Sequence, residues 1–148
     1  MKSVEERLQA LEDEREILRT MYQYGHALDY GDPDMFLDCW FEDATRETVS
    51  KSRRDHVEHL REGHDALREW VIAHTTGEIY KHLLIEPMIQ IDGDSARVES
   101  YFVMLNEHPD GPYVRAMGRY RDKLGRADDG RWRFVERVSE IEDWIHHT

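Results

Sequence analysis

Cysteine is almost missing from this chain. Cys39 is the only one in 148 residues, which excludes an internal disulfide and an all-cysteine metal cage and leaves the thiol to pack as a small apolar group. No run approaches the ~20 apolar residues of a membrane span. The opening MKSVEERLQALEDERE is charged from the start and lacks the apolar core of a signal peptide, so a cytoplasmic protein is expected. No stretch rich in proline, serine and glycine divides the chain, and residues 1–148 are read as one domain with a sizeable core. Positive charge is short as well: 20 Lys+Arg stand against 32 Asp+Glu, a formal charge of −12, which repels a phosphate backbone. Neither nucleic acid nor an anionic membrane is an expected partner. A Gly-rich phosphate loop and a nucleophile elbow are also missing.

What is present is organised around Ile17 to Pro33, ILRTMYQYGHALDYGDP. At about 100° per residue, Leu18, Tyr22, Gly25 and Asp29 fall on one line, flanked by Ile17, Met21, Tyr24 and Leu28. Glu16, Arg19, Thr20, Gln23 and Ala27 form the opposite face, read as solvated. Asp29 therefore points toward the core, where an unpaired carboxylate costs several kcal/mol. Two readings stand: it bonds backbone groups of the nearby loop, or it projects into a pocket and works with a partner from elsewhere in the chain.

Upstream, Val4, Leu8 and Leu11 are spaced for a helix whose stripe Glu14 interrupts, predicting a bend or break there. Asp32 reads as an N-cap and Pro33 as the first position of a short helix through Trp40. Ala44 to Val49 suits a first strand, Lys51 to Arg54 an exposed connection, and Asp65 to His74 a third helix stopped by Gly77. Beyond Gly77 the chain alternates and is rich in aromatic and β-branched residues, predicting strands over Tyr80–Ile91, Ser95–Leu105, Tyr113–Leu124 and Arg131–Ile145. Asp92-Gly93-Asp94 makes a tight turn and the other connections are short, so these strands should pair antiparallel. Helices first and a curled antiparallel sheet second define an α+β fold, with the helices closing a cone-shaped pocket.

On the first long strand, alternation sets Leu83, Ile85, Ile89 and Ile91 on one face and Tyr80, His82, Leu84 and Met88 on the other, while Pro87 suggests a bulge. His82 among apolar neighbours is either a satisfied core histidine or half of an acid–base pair with the buried Asp. His56-Val57-Glu58-His59, with His64 nearby, has a metal-like composition but no zinc-protease spacing, and no metal or other cofactor is expected. His26 lies toward the polar edge. Arg115, Arg119 and Arg121 alternate on one strand and are expected to form a ladder with Glu136 and Glu140.

The segment Tyr24-Gly25-His26-Ala27-Leu28-Asp29, Gly31-Asp32 before a short helix, and His82 ten residues before Asp92-Gly93-Asp94 resemble the SnoaL-like branch of the nuclear transport factor 2-like superfamily. Gly118-Arg119-Tyr120 and Asp129-Gly130-Arg131-Trp132-Arg133-Phe134 fit as well, so the resemblance covers nearly the whole chain. It implies a cone of curled antiparallel sheet closed by helices. Within the branch the chain is most similar to lyases such as bile acid 7α-dehydratase, scytalone dehydratase and hexachlorocyclohexane dehydrochlorinase. The implied catalytic set is Tyr24, Asp29 and His82. The bile acid enzyme carries a further acid on the next strand, where this chain reads Tyr101-Phe102-Val103-Met104-Leu105, so its substrate and reaction do not transfer. The resemblance implies a cofactor-independent lyase or isomerase of dehydratase type acting on a small apolar oxygenated molecule such as a steroid, polyketide or aromatic compound. Trp40, Tyr80, Leu84, Phe102 and Met117 are the expected pocket walls. The alternative is a non-catalytic ligand-binding protein or partner subunit, like the β subunit of a ring-hydroxylating dioxygenase, because the same fold serves both.

Apolar positions including Val114, Ala116, Tyr120, Val135 and Ile141 are assigned to the convex face, through which members of the resembled family usually associate, so a homodimer or homotrimer is expected. Light scattering at micromolar concentration checks this: a particle of two or three chains is the expected result, and the mass of one 17.7 kDa chain opposes it.

Overall fold

The computed structural model describes residues 1–51 and 58–145. Helix α1, Val4–Tyr30, starts at a capping box in which the Ser3 hydroxyl accepts from the Glu6 backbone N–H and the Glu6 carboxylate accepts from that of Ser3. It runs without a break through Glu14, against expectation. The residue that turns inward is its neighbour Asp13, which is 5% exposed and accepts from the Trp132 indole and the Arg126 guanidinium. A charge met by two donors needs no detour of the helix. Gly31 ends α1 in the left-handed conformation, φ 67°, and a Cβ there would lie 2.7 Å from Thr75 Cγ2.

The buried face of α1 is rotated from the one read in the sequence. Ile17, Thr20, Met21, Tyr24, Ala27 and Leu28 are buried, whereas Tyr22 is half exposed. Thr20 and Ala27, assigned to a solvated back, instead pack inward because the sheet curls around the helix, and the Thr20 hydroxyl donates to the Trp132 carbonyl. Asp29 consequently lies at the rim of the buried stripe.

Helix α2, Pro33–Leu37, is capped by the Asp32 side chain, which accepts from the Met35 N–H. It is shorter than expected because Trp40 already begins strand β1, Trp40–Ser50. Strand β2, Glu58–Glu62, which sequence pattern did not reveal, pairs antiparallel with β1 and leads into helix α3, Gly63–His74. Strands β3, Tyr80–Asp92, β4, Ser95–Asn106, β5, Tyr113–Arg126, and β6, Trp132–Trp144, form the antiparallel meander. One curled, unclosed sheet results, ordered β2-β1-β6-β5-β4-β3, in which β1 pairs parallel to β6. The fold is α+β.

The core lies between α1 and the concave face, where Tyr24, Phe36, Trp40 and Phe134 meet edge-on or tilted with ring centres 4.9–6.0 Å apart. Cys39 is fully buried beside them, and burial pushes its thiol up to about 12. Between Ile85 and Met88 the β3 register slips at Glu86, φ 51°, and Pro87. The extra residue inverts the facing beyond it: Met88, expected beside His82, is 72% exposed, and Ile89 and Ile91 turn toward the core. Ala116 and Tyr120, assigned to the convex face, are buried on the concave one, and Ile141 lines a cavity there. Val114 and Val135 are exposed. The arginine ladder forms on the convex face around Glu140, which takes Arg119 and Arg121 at 2.6 Å each, whereas Arg115 pairs with Glu78. Among the described residues, no helix is long and apolar enough to cross a membrane.

Gly118 tests how tightly β5 and β6 are joined. A Cβ there would fall 1.9 Å from the Glu140 carbonyl oxygen and 2.9 Å from the Phe102 ring, so Gly118→Ala is expected to cost about 2 to 3 kcal/mol. Urea unfolding measures it.

Candidate active site

Strand β3 is an edge of the sheet, and edge strands leave backbone N–H groups unpaired. At His82 the free edge meets the last turn of α1, where the Asp29 carboxylate accepts from the His82 backbone N–H at 3.0 and 3.2 Å. One of its oxygens also lies 2.6 Å from His82 Nδ1. Both side chains are sheltered, at 6% exposed for Asp29 and 11% for His82. Asp29 thus combines both sequence readings: it satisfies a backbone group, though of a strand and not of the adjacent loop, and it pairs with a distant histidine. A carboxylate on Nδ1 favours the tautomer that leaves Nε2 with its lone pair. Nε2 makes no hydrogen bond to any described residue. The Tyr80 ring stands edge-on to the imidazole at 5.6 Å, and its hydroxyl is shared between the Leu28 and His74 carbonyls, which ties the ring's neighbour to both helices.

Two cavities meet at His82. One, of about 400 Å³, is lined by Tyr24, Gly25, Asp29, His82, Leu84 and Arg137 among others. The second, of about 360 Å³, lies under the cone mouth against Leu28, Phe102, Met104, Ala116 and Ile141. Tyr24, His82 and Tyr120 border both. The three residues singled out for chemistry, Tyr24, Asp29 and His82, are therefore brought to one cavity. Of the five expected walls, Leu84 and Phe102 line these cavities. Trp40 is 1% exposed within the aromatic core. Tyr80 supports His82 from behind. Met117 is 49% exposed and sits between the arginines of β5, on the convex face, because alternation from Ala116 turns it outward. His26 is exposed at the edge of the first cavity.

Sequence pattern missed the polar groups behind the cavity. Arg137 is fully buried, bidentate to Asp122 at 2.7 and 2.8 Å, with its guanidinium carbon 3.8 Å from the Tyr120 ring centre and 4.3 Å from that of Tyr24. Burial opposes its charge, yet the Asp122 carboxylate more than offsets this and keeps it raised above the ordinary arginine value. Its Nη1 has no partner, an expensive orphan unless a ligand oxygen meets it. Arg46 donates from Nε to the Tyr24 hydroxyl, 3.4 Å, leaving that phenol's own proton available. The Ala44, Arg46, Thr48 alternation was the available signal for Arg46. Arg137 had none as clean, since two register slips disturb the β5–β6 pairing on either side of it. His56 and Val57 of the metal-like segment, and the side chain of Glu58, lie outside the described residues. Among those described, no group of three or more His, Cys, Asp and Glu is placed to hold a metal.

A curled, mostly antiparallel sheet packed on a long N-terminal helix defines a fold class, and sequence comparison places the chain in one family of it. The SnoaL-like domain profile matches residues 9–138, and the chain belongs to that family. No curated protein matches by sequence. Among solved structures, a variant of Rv3472, a protein of unknown function from Mycobacterium tuberculosis, superposes with a TM-score of 0.80 at 24% identity, covering 98% of this chain and 79% of that one. A protein from Novosphingobium aromaticivorans provisionally named a scytalone dehydratase gives 0.73 at 23%, covering 94% and 91%. The β subunit of a provisionally named aromatic-ring-hydroxylating dioxygenase from the same organism gives 0.77 at 17%, covering 95% of each. At these identities the likeness concerns fold alone.

His74 supplies a test of the packing around the site. It is stacked on Trp70 and half-buried, and its partial burial, aided by neighbouring His82 and Arg46, pushes it down to about 4 from the ordinary 6.5. Between those values the unfolded chain holds a proton that the folded one does not, so stability falls as pH falls through this window. From about pH 7 to about pH 5 the loss is expected to reach about 1 to 2 kcal/mol. His74→Gln should remove that part of the slope in urea titrations at the two pH values.

Proposed function

We propose that this protein is a cofactor-independent lyase or isomerase of dehydratase type, acting on a small, largely apolar, oxygenated molecule. The observation that carries the reading is His82, fixed on Asp29 through Nδ1 at 2.6 Å with Nε2 left to the cavity. In this scheme Nε2 removes a proton from carbon next to a carbonyl, and Asp29 stabilises the imidazolium that forms. Charge building on the carbonyl oxygen is met by the Tyr24 hydroxyl, polarised by Arg46. The hydroxyl on the neighbouring carbon departs as the carbon–carbon double bond forms, and takes the proton back from His82 to leave as water. An isomerase would return that proton to carbon instead. The paired cavities of about 400 and 360 Å³ are in the range of small-molecule sites.

A panel of hydroxy-ketones and hydroxysteroids, followed for loss of water, tests this reading. With a substrate in hand, His82→Ala is expected to lower turnover about 10² to 10⁴-fold while the fold persists. Asp29→Asn should be similarly severe and not additive with it, and Tyr24→Phe milder. If Asp29→Asn unfolds the protein and His82→Ala leaves turnover unchanged, the site is structural. A non-catalytic partner-subunit role then takes its place.

A further inference from the structure

The second cavity carries a charge pattern opposite to that of the whole chain. Against a formal −12, its lining includes Arg46, Arg61, His59, His74 and His82 and, among the described residues, no Asp or Glu. Arg46 is 6% exposed and has no carboxylate partner among the described residues. Its guanidinium lies 3.8 Å over the Trp70 ring, and its Nη1 donates to Thr48 Oγ1 at 2.7 Å. Its Nη2 makes no hydrogen bond to a described residue, and the side chain lines the cavity. Arg137, the other buried arginine among the described residues, has its carboxylate in Asp122, whereas no described carboxylate meets Arg46.

Strand register sharpens the point. Arg46 and Arg61 are direct cross-strand partners on β1 and β2, and Thr48 pairs with His59 beside them. Two guanidinium groups directly opposite each other destabilise a sheet unless something negative lies between or above them. Among the described residues, Arg61 makes a hydrogen bond to the Leu60 carbonyl alone. His74 is neutral above about pH 4, so it adds a polar edge and not charge. Ser139 adds a buried hydroxyl without a partner. Opposite these groups the cavity turns apolar at Phe102, Met104 and Ile141, and His82 stands where it joins the first cavity.

We infer that the second cavity binds the carboxylate of an apolar acid, with Arg46 as its principal anchor, Arg61 assisting at the mouth, and the apolar body lying against Phe102, Met104 and Ile141. The planar fork of a guanidinium fits a carboxylate in bidentate fashion, and the Trp70 face holds that fork in place. This narrows the substrate class of the lyase reading, and rests on it only in identifying the ligand as the substrate; the anion site itself is independent of turnover.

Calorimetric titration with 2-naphthoate and with the isosteric, uncharged 2-naphthamide tests it. Naphthoate is expected to bind at least about tenfold more tightly, as a charge-assisted bidentate contact warrants, and to lose part of that advantage at high salt. Arg46→Met, which keeps the stem over Trp70, should bring the two affinities together, Arg46→Lys should retain part of the difference, and Arg61→Gln should reduce it less than Arg46→Met. Turnover assays on the same wild-type protein separate this site from the proposed base: preference without turnover upholds the anion site and sinks the lyase. Equal affinities in the wild-type protein, absence of naphthoate binding at millimolar concentration, or an Arg46→Met variant that weakens both probes alike would each overturn the assignment, the last showing Arg46 to be a support for Tyr24 and Trp70. Should Arg46→Met fail to fold, the wild-type comparison with Arg46→Lys and Arg61→Gln decides.

Discussion

A sheet that curls without closing has two open edges, and this molecule places its most demanding polar interaction on one of them. The carboxylate of Asp29 takes the backbone N–H of His82 and the imidazole Nδ1 of the same residue. Those bonds dock the C-terminal turn of α1 against β3, orient the ring and cap an edge that would otherwise invite another strand. Tyr80, from the same strand, bonds carbonyls of α1 and α3, so both helices are pinned to β3 within one turn of the histidine. The wall of the cavity and the proposed chemistry thus depend on one short contact between residues 53 positions apart.

The interior behind that contact is unusually polar. The Asp122–Arg137 pair is completely buried among Tyr24, Tyr120 and Phe134, an arrangement that seldom adds net stability because both charges leave water. Aromatic faces over the guanidinium and two aligned carboxylate contacts reduce the penalty, and the orphan Nη1 keeps part of it. What such a pair provides is a fixed positive charge in a low-dielectric wall, held against the Tyr24 and Tyr120 rings.

Much of this was legible in the sequence, and the exceptions share a cause. The four long strands, their hairpins and the capped short helix follow local rules: alternation, turn residues, and Asp32-Pro33. Asp29 was singled out from its helical stripe and His82 from a regular stretch of strand before the Pro87 bulge, Tyr24 only through the family resemblance, and the three side chains border one cavity. Where facing was misread, a bulge or the curl of the sheet intervened. Met88 follows the slip at Glu86, Thr20 and Ala27 face a sheet that wraps further around α1 than one stripe predicts, and the helix passes Glu14 because Asp13 finds partners more than 110 residues away. Strand β2, the parallel pairing of β1 with β6, and the roles of Arg46 and Arg137 are tertiary facts. Only the assembled sheet sets Arg46 across from Arg61, or Arg137 against Asp122.

His82 borders two chambers, while its tether to Asp29 comes from the last turn of α1 and not from the strand residues that shape either chamber. The walls of either chamber can therefore change by substitution at Leu84, Phe102 or Met104 without disturbing the histidine's orientation. In evolutionary terms the reactive centre and the substrate-selecting surfaces are separable modules, so a lineage on this scaffold can exchange one ligand for another by altering a single chamber and carry its proton chemistry through the transition unchanged.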